Sequence, residues 1–408
     1  MKLFFEIILL LSPIQTFVVS NIVKGLTLFN VGMILFTFFN IFYLRKFSSL
    51  IFSFILFLLI YITYFLFQQY ILILFPPSSV LFVKAIFISP EIPSLILFRS
   101  SFITQSLYLI LAILFFYHLL VYINKFGSNR IINLAFYSIA FFVLYGFFEF
   151  FYFLLTGEKS DFISNRIVGT GNSFGAFQYF YLAGQKFLRI KSLAGEPSMF
   201  AFTVLPFFIL SIYCNKKRFT ILFLIALLLS TSSSAIIGIF IYLILEIFIG
   251  YNKFKKLLIS TLLFCIFLYV SYDFMLALYQ SIIDKISLAS LSGIDRYFYF
   301  KTHFNLWLDS SFLQKLFGYG FGYFRSTDGF STLLVNIGVF GLAAYCLFFL
   351  LPYFLIKERT KYLKGLFISN FTILIVILIS VPELFMPHSW FFNALIWGEY
   401  VRLKFKRV

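Results

Sequence analysis

Charge is what this chain has least of. Only 12% of its 408 residues are charged, and no more than 15 are acidic. A soluble domain of this length could not solvate its surface with so little charge, which excludes the ordinary globular enzymes. Cysteine is nearly absent. Cys214, Cys265 and Cys346 fall in or beside apolar runs and offer neither a disulfide framework nor a metal-binding spacing. His118, His303 and His388 are far apart, so no zinc motif is visible. No Walker sequence or glycine-rich strand–helix turn occurs, which removes the common nucleotide sites. The lack of an internal repeat withholds support from an inverted-repeat transporter.

What fills the chain is apolar. The sequence is 62% hydrophobic, with 65 phenylalanines and a mean hydropathy of +1.00. Apolar runs of roughly 20 residues recur along it, as in polytopic helical membrane proteins. The expected fold is all-α: one integral-membrane domain over 1–408, a helix bundle of about 12 transmembrane spans. The spans are read at 3–22, 26–44, 50–75, 101–123, 131–156, 197–213, 219–231, 233–250, 257–279, 329–355, 364–380 and 388–402. The first run has no small-residue cleavage site after it and reads as a helix rather than a signal peptide. The stretch 219–250 is long for one helix and short for two. Basic clusters on both sides of it require an even number of crossings, with the turn at Ser230-Thr231-Ser232-Ser233-Ser234.

The formal charge of +17 is read from its distribution rather than as a sign of nucleic-acid binding. Lys2, Arg45-Lys46, Lys125 with Arg130, Lys216 to Arg218, Lys253 to Lys256, Lys357 to Lys364 and Arg402 to Arg407 all fall in short connections on one side of the twelve spans. The positive-inside rule makes that side cytoplasmic, with both termini. Two extracytoplasmic loops stand out by length, 157–195 and 280–328, and loops of such size on a bundle are usually functional. The second holds Asp295-Arg296, a helix running through Trp307 and the run Gly318-Tyr319-Gly320-Phe321-Gly322. Those glycines permit a tight turn or close backbone approach. A smaller outer segment, Pro382 to Trp390, carries Glu383 and His388.

The most informative stretch is Gly195-Glu196-Pro197-Ser198, preceded by Arg189 and Lys191 and followed by an apolar run to Tyr213. Proline suits a first helical turn, and the free N–H groups there favour an anion. Cations beside such a helix end suit a phosphate or diphosphate, and the one carboxylate can serve as a general base. In the bland alternative, Glu196 caps the helix and the cations touch lipid headgroups. Glu149 either faces a cavity or pairs with a loop cation. A substrate energised away from cytoplasmic nucleotides has to bring its own leaving group, and a lipid-linked diphosphate sugar does so.

These features, in their order and spacing over about 185–345, resemble the bacterial O-antigen polymerase and O-antigen ligase superfamily of polytopic glycosyltransferases. The stretch Arg189 to Ser198 is similar to the family's Arg…Gly-x-x-Glu-Pro-Ser. The break at 230–234 is similar to its serine turn, and Gly293-Ile294-Asp295-Arg296 to its periplasmic arginine motif. Phe317-Gly318-Tyr319-Gly320 resembles the family's Gly-x-Gly, and Asn336 to Gly341 its final glycine pair. Two departures stand out. Ser233 and Ser234 occupy a region that often carries arginine, and Asp328 to Thr332 lacks the histidine typical of ligases. The second favours a polymerase.

The resemblance implies a donor glycan on undecaprenyl diphosphate and, as acceptor, a new lipid-linked repeat unit of O-antigen, capsule or a similar surface polysaccharide. A flippase and a chain-length regulator would be partners, and the bacterial inner membrane the location. Arg189 and Arg296 would hold the diphosphate, and Glu196 would take the acceptor proton. Lys191 and Lys301 would assist, with Gly195, Ser198, Tyr297, His303, Tyr319 and Gly320 in the substrate site. No cofactor or metal is called for, because a departing diphosphate needs little protonation. Outer-loop tyrosines such as Tyr179, Tyr181, Tyr297 and Tyr319 suit stacking on sugar rings. His303 reads more readily as packing, and His388 beside Trp390 as an interfacial anchor. The rivals are a ligase acting on lipid A core or protein, and a flippase or other transporter. A transporter should carry polar groups at its midplane, where these spans are nearly charge-free.

Overall fold

A computed structural model describes residues 2–20, 26–44, 48–75, 100–166, 177–182, 185–249 and 291–405. The expected span 257–279 and the start of the second long loop lie outside them. The described residues form thirteen α-helices and one small hairpin. Five helices are long and apolar enough to cross a membrane: α3 (Ser48–Leu74), α4 (Ser100–Phe126), α5 (Asn129–Thr156), α11 (Gly329–Leu355) and α12 (Lys361–Ile379). This is the composition of a membrane helix bundle. Shorter helices are α1 (Lys2–Leu11), α2 (Leu28–Leu44), α6 (Pro197–Tyr213), α7 (Lys217–Leu229), α8 (Ser233–Ile249) and α13 (Pro387–Phe405). The helices α9 (Leu291–Leu308) and α10 (Phe312–Phe317) belong to the second long loop.

The helix α6 forms the centre. Phe200, Phe202, Val204, Leu205, Ile209 and Leu210 are buried on all sides of it, which is the pattern of an enclosed helix rather than an amphipathic one. It packs against α7, α8 and α12. The helix α3 is peripheral and turns Phe52, Leu59, Ile60 and Leu66 outward.

Side-chain bonds sort the connections into two ends. At one end Arg130 pairs with Glu6 at 2.7 Å, Ser128 donates to Glu399 at 2.8 Å, and Lys361 donates to Asn215. At the other, Ser234 meets Ser380 at 2.7 Å and Lys191 reaches Glu149 near the C-terminal end of α5. The grouping follows the two sets of loops separated by basic charge in the sequence. The break at 230–234 is indeed a turn between two short helices, α7 and α8, with Thr231 at φ +45°.

The first expected span, 3–22, is corrected. The helix α1 stops at Leu11, before Ser12-Pro13; a proline N has no hydrogen to donate, and proline disfavours helix in the residue before it. Residues 14–20 run irregularly but are satisfied by protein. Gln15 and Thr16 donate their N–H groups to Leu193 O at 2.9 and 3.1 Å, Gln15 Nε2 reaches Thr203 at 3.1 Å, and Val18 bridges Thr27. Non-helical backbone inside a membrane bundle is tolerated only when enclosed in this way. The all-α expectation also missed a hairpin, β1 (Tyr179–Leu182) with β2 (Gln185–Leu188), paired antiparallel in the first long loop.

The glycine motifs meet backbone to backbone. A Cβ on Gly318 would lie 2.5 Å from the Asn336 carbonyl, and one on Gly338 2.3 Å from Leu316 O. Both glycines have positive φ, so a side chain is excluded by conformation as well as by space. From α3, Tyr64 donates to Ile337 O at 2.6 Å and Gln68 to Asn336 O at 2.9 Å, closing the joint.

Candidate functional site

Gly195, at φ +93°, turns the chain from the 3-10 turn Ser192–Ala194 into α6, with Pro197 in the first turn. Glu196 occupies the N-cap position in an extended conformation, yet its side chain makes no capping bond to the helix. The carboxylate instead lies beside Ser198, whose side chain lowers its pKa. Burial raises its pKa above the usual carboxylate range and the charge of Glu383 adds to this, while Arg296 and Arg325 act in the opposite sense. A raised pKa makes a carboxylate the stronger base, the direction that suits proton abstraction.

Glu196 opens on a cavity of about 230 Å³. Gln105, Tyr108, Arg166, Arg325 and Glu383 share the wall. Arg325 is ion-paired with Glu383. Arg166 has no side-chain hydrogen bond or acidic partner among the described residues. The cavity thus bears charges of both signs in a mixed polar and apolar lining, and it gathers segments from both long loops, from 382–387 and from the irregular stretch after α1.

Arg189 lies close enough to feel Glu196 and Arg296, but its guanidinium is committed. It donates to Ser230 O at 3.1 Å, Thr231 O at 2.9 Å and Gln178 Oε1 at 2.6 Å. Burial lowers its pKa to about 10, opposed by Glu196 and assisted by Arg296. It ties the 189–196 segment to the α7–α8 turn. Arg296, on α9, is more available: it has no hydrogen bond to a described residue and interacts electrostatically with Glu196 and Asp328.

Lys191 does not face the cavity. It is wholly buried, with Nζ 3.2 Å from Glu149 Oε1 and bonded also to Asp161. The substrate contact expected of it is corrected: the ammonium is spent inside the protein. Of the two readings open for Glu149, pairing with a loop cation is the one observed.

Other expected site residues are internal as well. Tyr319 is buried and stacked on Tyr323, with ring centres 5.7 Å apart, so it offers no face to a sugar. Gly320 sits at φ +128°, where a Cβ would come within 2.9 Å of Gln69, and its N–H bonds Asn336 O. His303 is buried, with Nδ1 2.6 Å from Tyr299 O and its ring edge-on to Phe324; packing is what it does here. His388 is no interfacial anchor, being buried against Phe202 with ring centres 4.5 Å apart. Tyr297 and Lys301 are exposed together on α9, the ammonium 5.7 Å from the ring centre.

No family model, curated protein or solved structure matches this chain. The site therefore has to be read from its own chemistry. Two of its cations were missed in the sequence. Arg166 and Arg325 lie in the two long loops, whose length was the available signal, but no local motif sets them apart.

A second, larger hollow of about 570 Å³ lies between α3, α4 and α11, walled by Tyr61, Tyr64, Phe116, Tyr345 and Phe348 among others. Its rim residues Ile60 and Phe340 are exposed, so it opens sideways. Phe385 lines both this groove and the polar cavity, so the two adjoin.

Proposed function

We propose that this protein is a membrane glycosyltransferase that polymerises lipid-linked oligosaccharide repeat units. The growing glycan would pass from undecaprenyl diphosphate to the next unit, on the extracytoplasmic face of the bacterial inner membrane with both termini cytoplasmic. The observation that carries the reading is the junction at Phe385 of a charged cavity containing Glu196 and a side-opening apolar groove. An amphiphile with an anionic head and a hydrocarbon tail fits such a pair of hollows, and a small soluble substrate has no use for the second.

In the reaction the bond between the anomeric carbon and the diphosphate oxygen breaks, and its electron pair leaves with the diphosphate. A bond forms from the acceptor hydroxyl oxygen to that carbon. Glu196 takes the hydroxyl proton. Arg296, with Arg189 behind it, offsets the charge growing on the leaving group.

The test is synthesis of polymer by the purified chain from lipid-linked repeat units, with length read on a gel. Ladders made by the wild type and lost in Glu196→Gln support the reading. Single units transferred to a lipid A core, or units moved across a vesicle without new glycosidic bonds, would replace it with a ligase or a transporter.

A further inference from the structure

The cations in and near the cavity are not equivalent. Arg325 is already neutralised by Glu383. Outside the cavity's lining, Arg296 interacts electrostatically with Glu196 and Asp328, and Arg189 is bound to carbonyls and an amide. Only Arg166, among the described residues lining the cavity, is a cation with no acidic or hydrogen-bonding partner for its guanidinium. Its backbone, by contrast, is firmly held. The N–H groups of Asn165 and Arg166 both donate to Thr16 O, at 3.2 and 3.0 Å. The Asn165 side chain bonds Val18 at both N–H and carbonyl, at 2.7 and 2.8 Å, and Ser164 donates to the Thr16 hydroxyl at 2.6 Å. A fixed backbone carrying an uncommitted planar cation to the wall of a cavity is suited to an anion rather than to open solvent.

The segment holding Arg166 is joined to the segment holding Glu196 by an internal ion pair. Asp161 uses one oxygen to accept the N–H of Ser164 at 2.9 Å and the other to bind Lys191, whose second carboxylate partner is Glu149 on α5. All three charged side chains are buried. Buried charges are expensive to desolvate, and breaking such a set from one side is costly. The pair spans thirty residues of sequence and connects the two walls that carry Arg166 and Glu196.

We propose that Arg166 seats the anionic end of the substrate in the cavity, and that the Asp161–Lys191 pair is the positioning device that sets Arg166 at a fixed place opposite Glu196. This rests on the lipid-linked diphosphate reading for the natural ligand, but not for the measurement. The probe is inorganic diphosphate, titrated calorimetrically into the detergent-purified full chain and into Arg166→Gln, Arg166→Lys and Asp161→Asn.

Wild type should bind, Arg166→Gln should lose tenfold or more in affinity at an unchanged unfolding temperature, and Arg166→Lys should recover part of it, lacking the bidentate fork. In Asp161→Asn the amide oxygen can keep the Ser164 bond while its NH₂ repels Lys191, so binding should weaken several-fold. Nitroxide labels at Ile163 and Lys186, in a chain with its three cysteines replaced by serine, should then show a broadened distance distribution. If Asp161→Asn fails to fold, the triple change Glu149→Gln, Asp161→Asn, Lys191→Met removes all three charges together and takes its place.

Absence of diphosphate binding by wild type, or wild-type affinity in Arg166→Gln, overturns the anion seat. Wild-type affinity and an unchanged distance in Asp161→Asn overturn the positioning role. Diphosphate binding that depends on Arg166 in a chain making no polymer would uphold the seat and sink the polymerase reading, so the two failures are distinguishable.

Discussion

Replacing Glu196 by glutamine separates chemistry from architecture, because the structure gives the two roles opposite signs. A helix cap lost to substitution costs about 1 kcal/mol, yet the Glu196 side chain makes no capping bond, so that loss should be missing. The carboxyl is half-buried near Glu383, and both desolvation and that charge raise its pKa. A carboxyl whose folded pKa is raised binds its proton more tightly folded than unfolded. Its stabilising contribution is present below the unfolded value, near 4.5, and is lost as pH rises through the folded value. Above that window the ionised carboxylate is a burden that glutamine lacks. Glu196→Gln should therefore match wild type near pH 4.5 and unfold at a higher temperature near pH 8. In the same variant, polymer formation should fall 10²–10⁴-fold, the usual contribution of a general base, or about 2.7–5.4 kcal/mol in the barrier. Thermal unfolding in detergent at the two pH values and a ladder assay on the same preparations decide the matter. A variant that is less stable at pH 8 and still builds normal ladders would refute the reasoning on both counts and return Glu196 to the helix end.

Three further outcomes are expected. Arg296→Ala should leave protein levels near normal and cut polymer formation by roughly 10²–10³-fold, as loss of a charge-stabilising donor does, whereas Arg189→Ala should lower the amount of folded protein by removing three bonds to 178, 230 and 231; quantitative blotting beside the ladder assay distinguishes them. Filling the apolar groove with Ala344→Trp should raise the apparent KM for lipid-linked units while leaving diphosphate binding in the neighbouring cavity within twofold, and equal KM values would remove the groove from the substrate's path. Single cysteines at 163 and 325 should react with impermeant reagents from the extracytoplasmic side and one at 216 only after permeabilisation; the reverse pattern would invert the topology.

The long apolar helices were legible because a membrane span announces itself by length and hydropathy alone. The α7–α8 turn was legible from charge on both sides of it, and Gly195-Glu196-Pro197 from the chemistry of a helix start. Gly318 was readable as a site of close approach and Gly338 as one of a glycine pair, though not as partners of each other. Lys191 misled because its neighbours in sequence are site residues while its partners, Glu149 and Asp161, lie 42 and 30 residues away. Tyr319 misled in the same way, since an outer-loop aromatic can be a platform or a core residue and only packing decides. The break at Pro13 carried its own signal, which the strength of the surrounding hydropathy hid. Arg166 and Arg325 had none beyond the loops that hold them.

The short first helix has a consequence for how the molecule is made. Ten residues of α1 span about 15 Å, roughly half of a bilayer's hydrocarbon core. The continuation through Gln15 and Thr16 relies on a carbonyl at Leu193, which a ribosome produces some 180 residues later, roughly ten seconds or more of elongation. Until then those N–H groups lack their native acceptor. This stretch is therefore completed only after a long delay, and its native depth in the bundle is set by a partner that arrives from the middle of the chain.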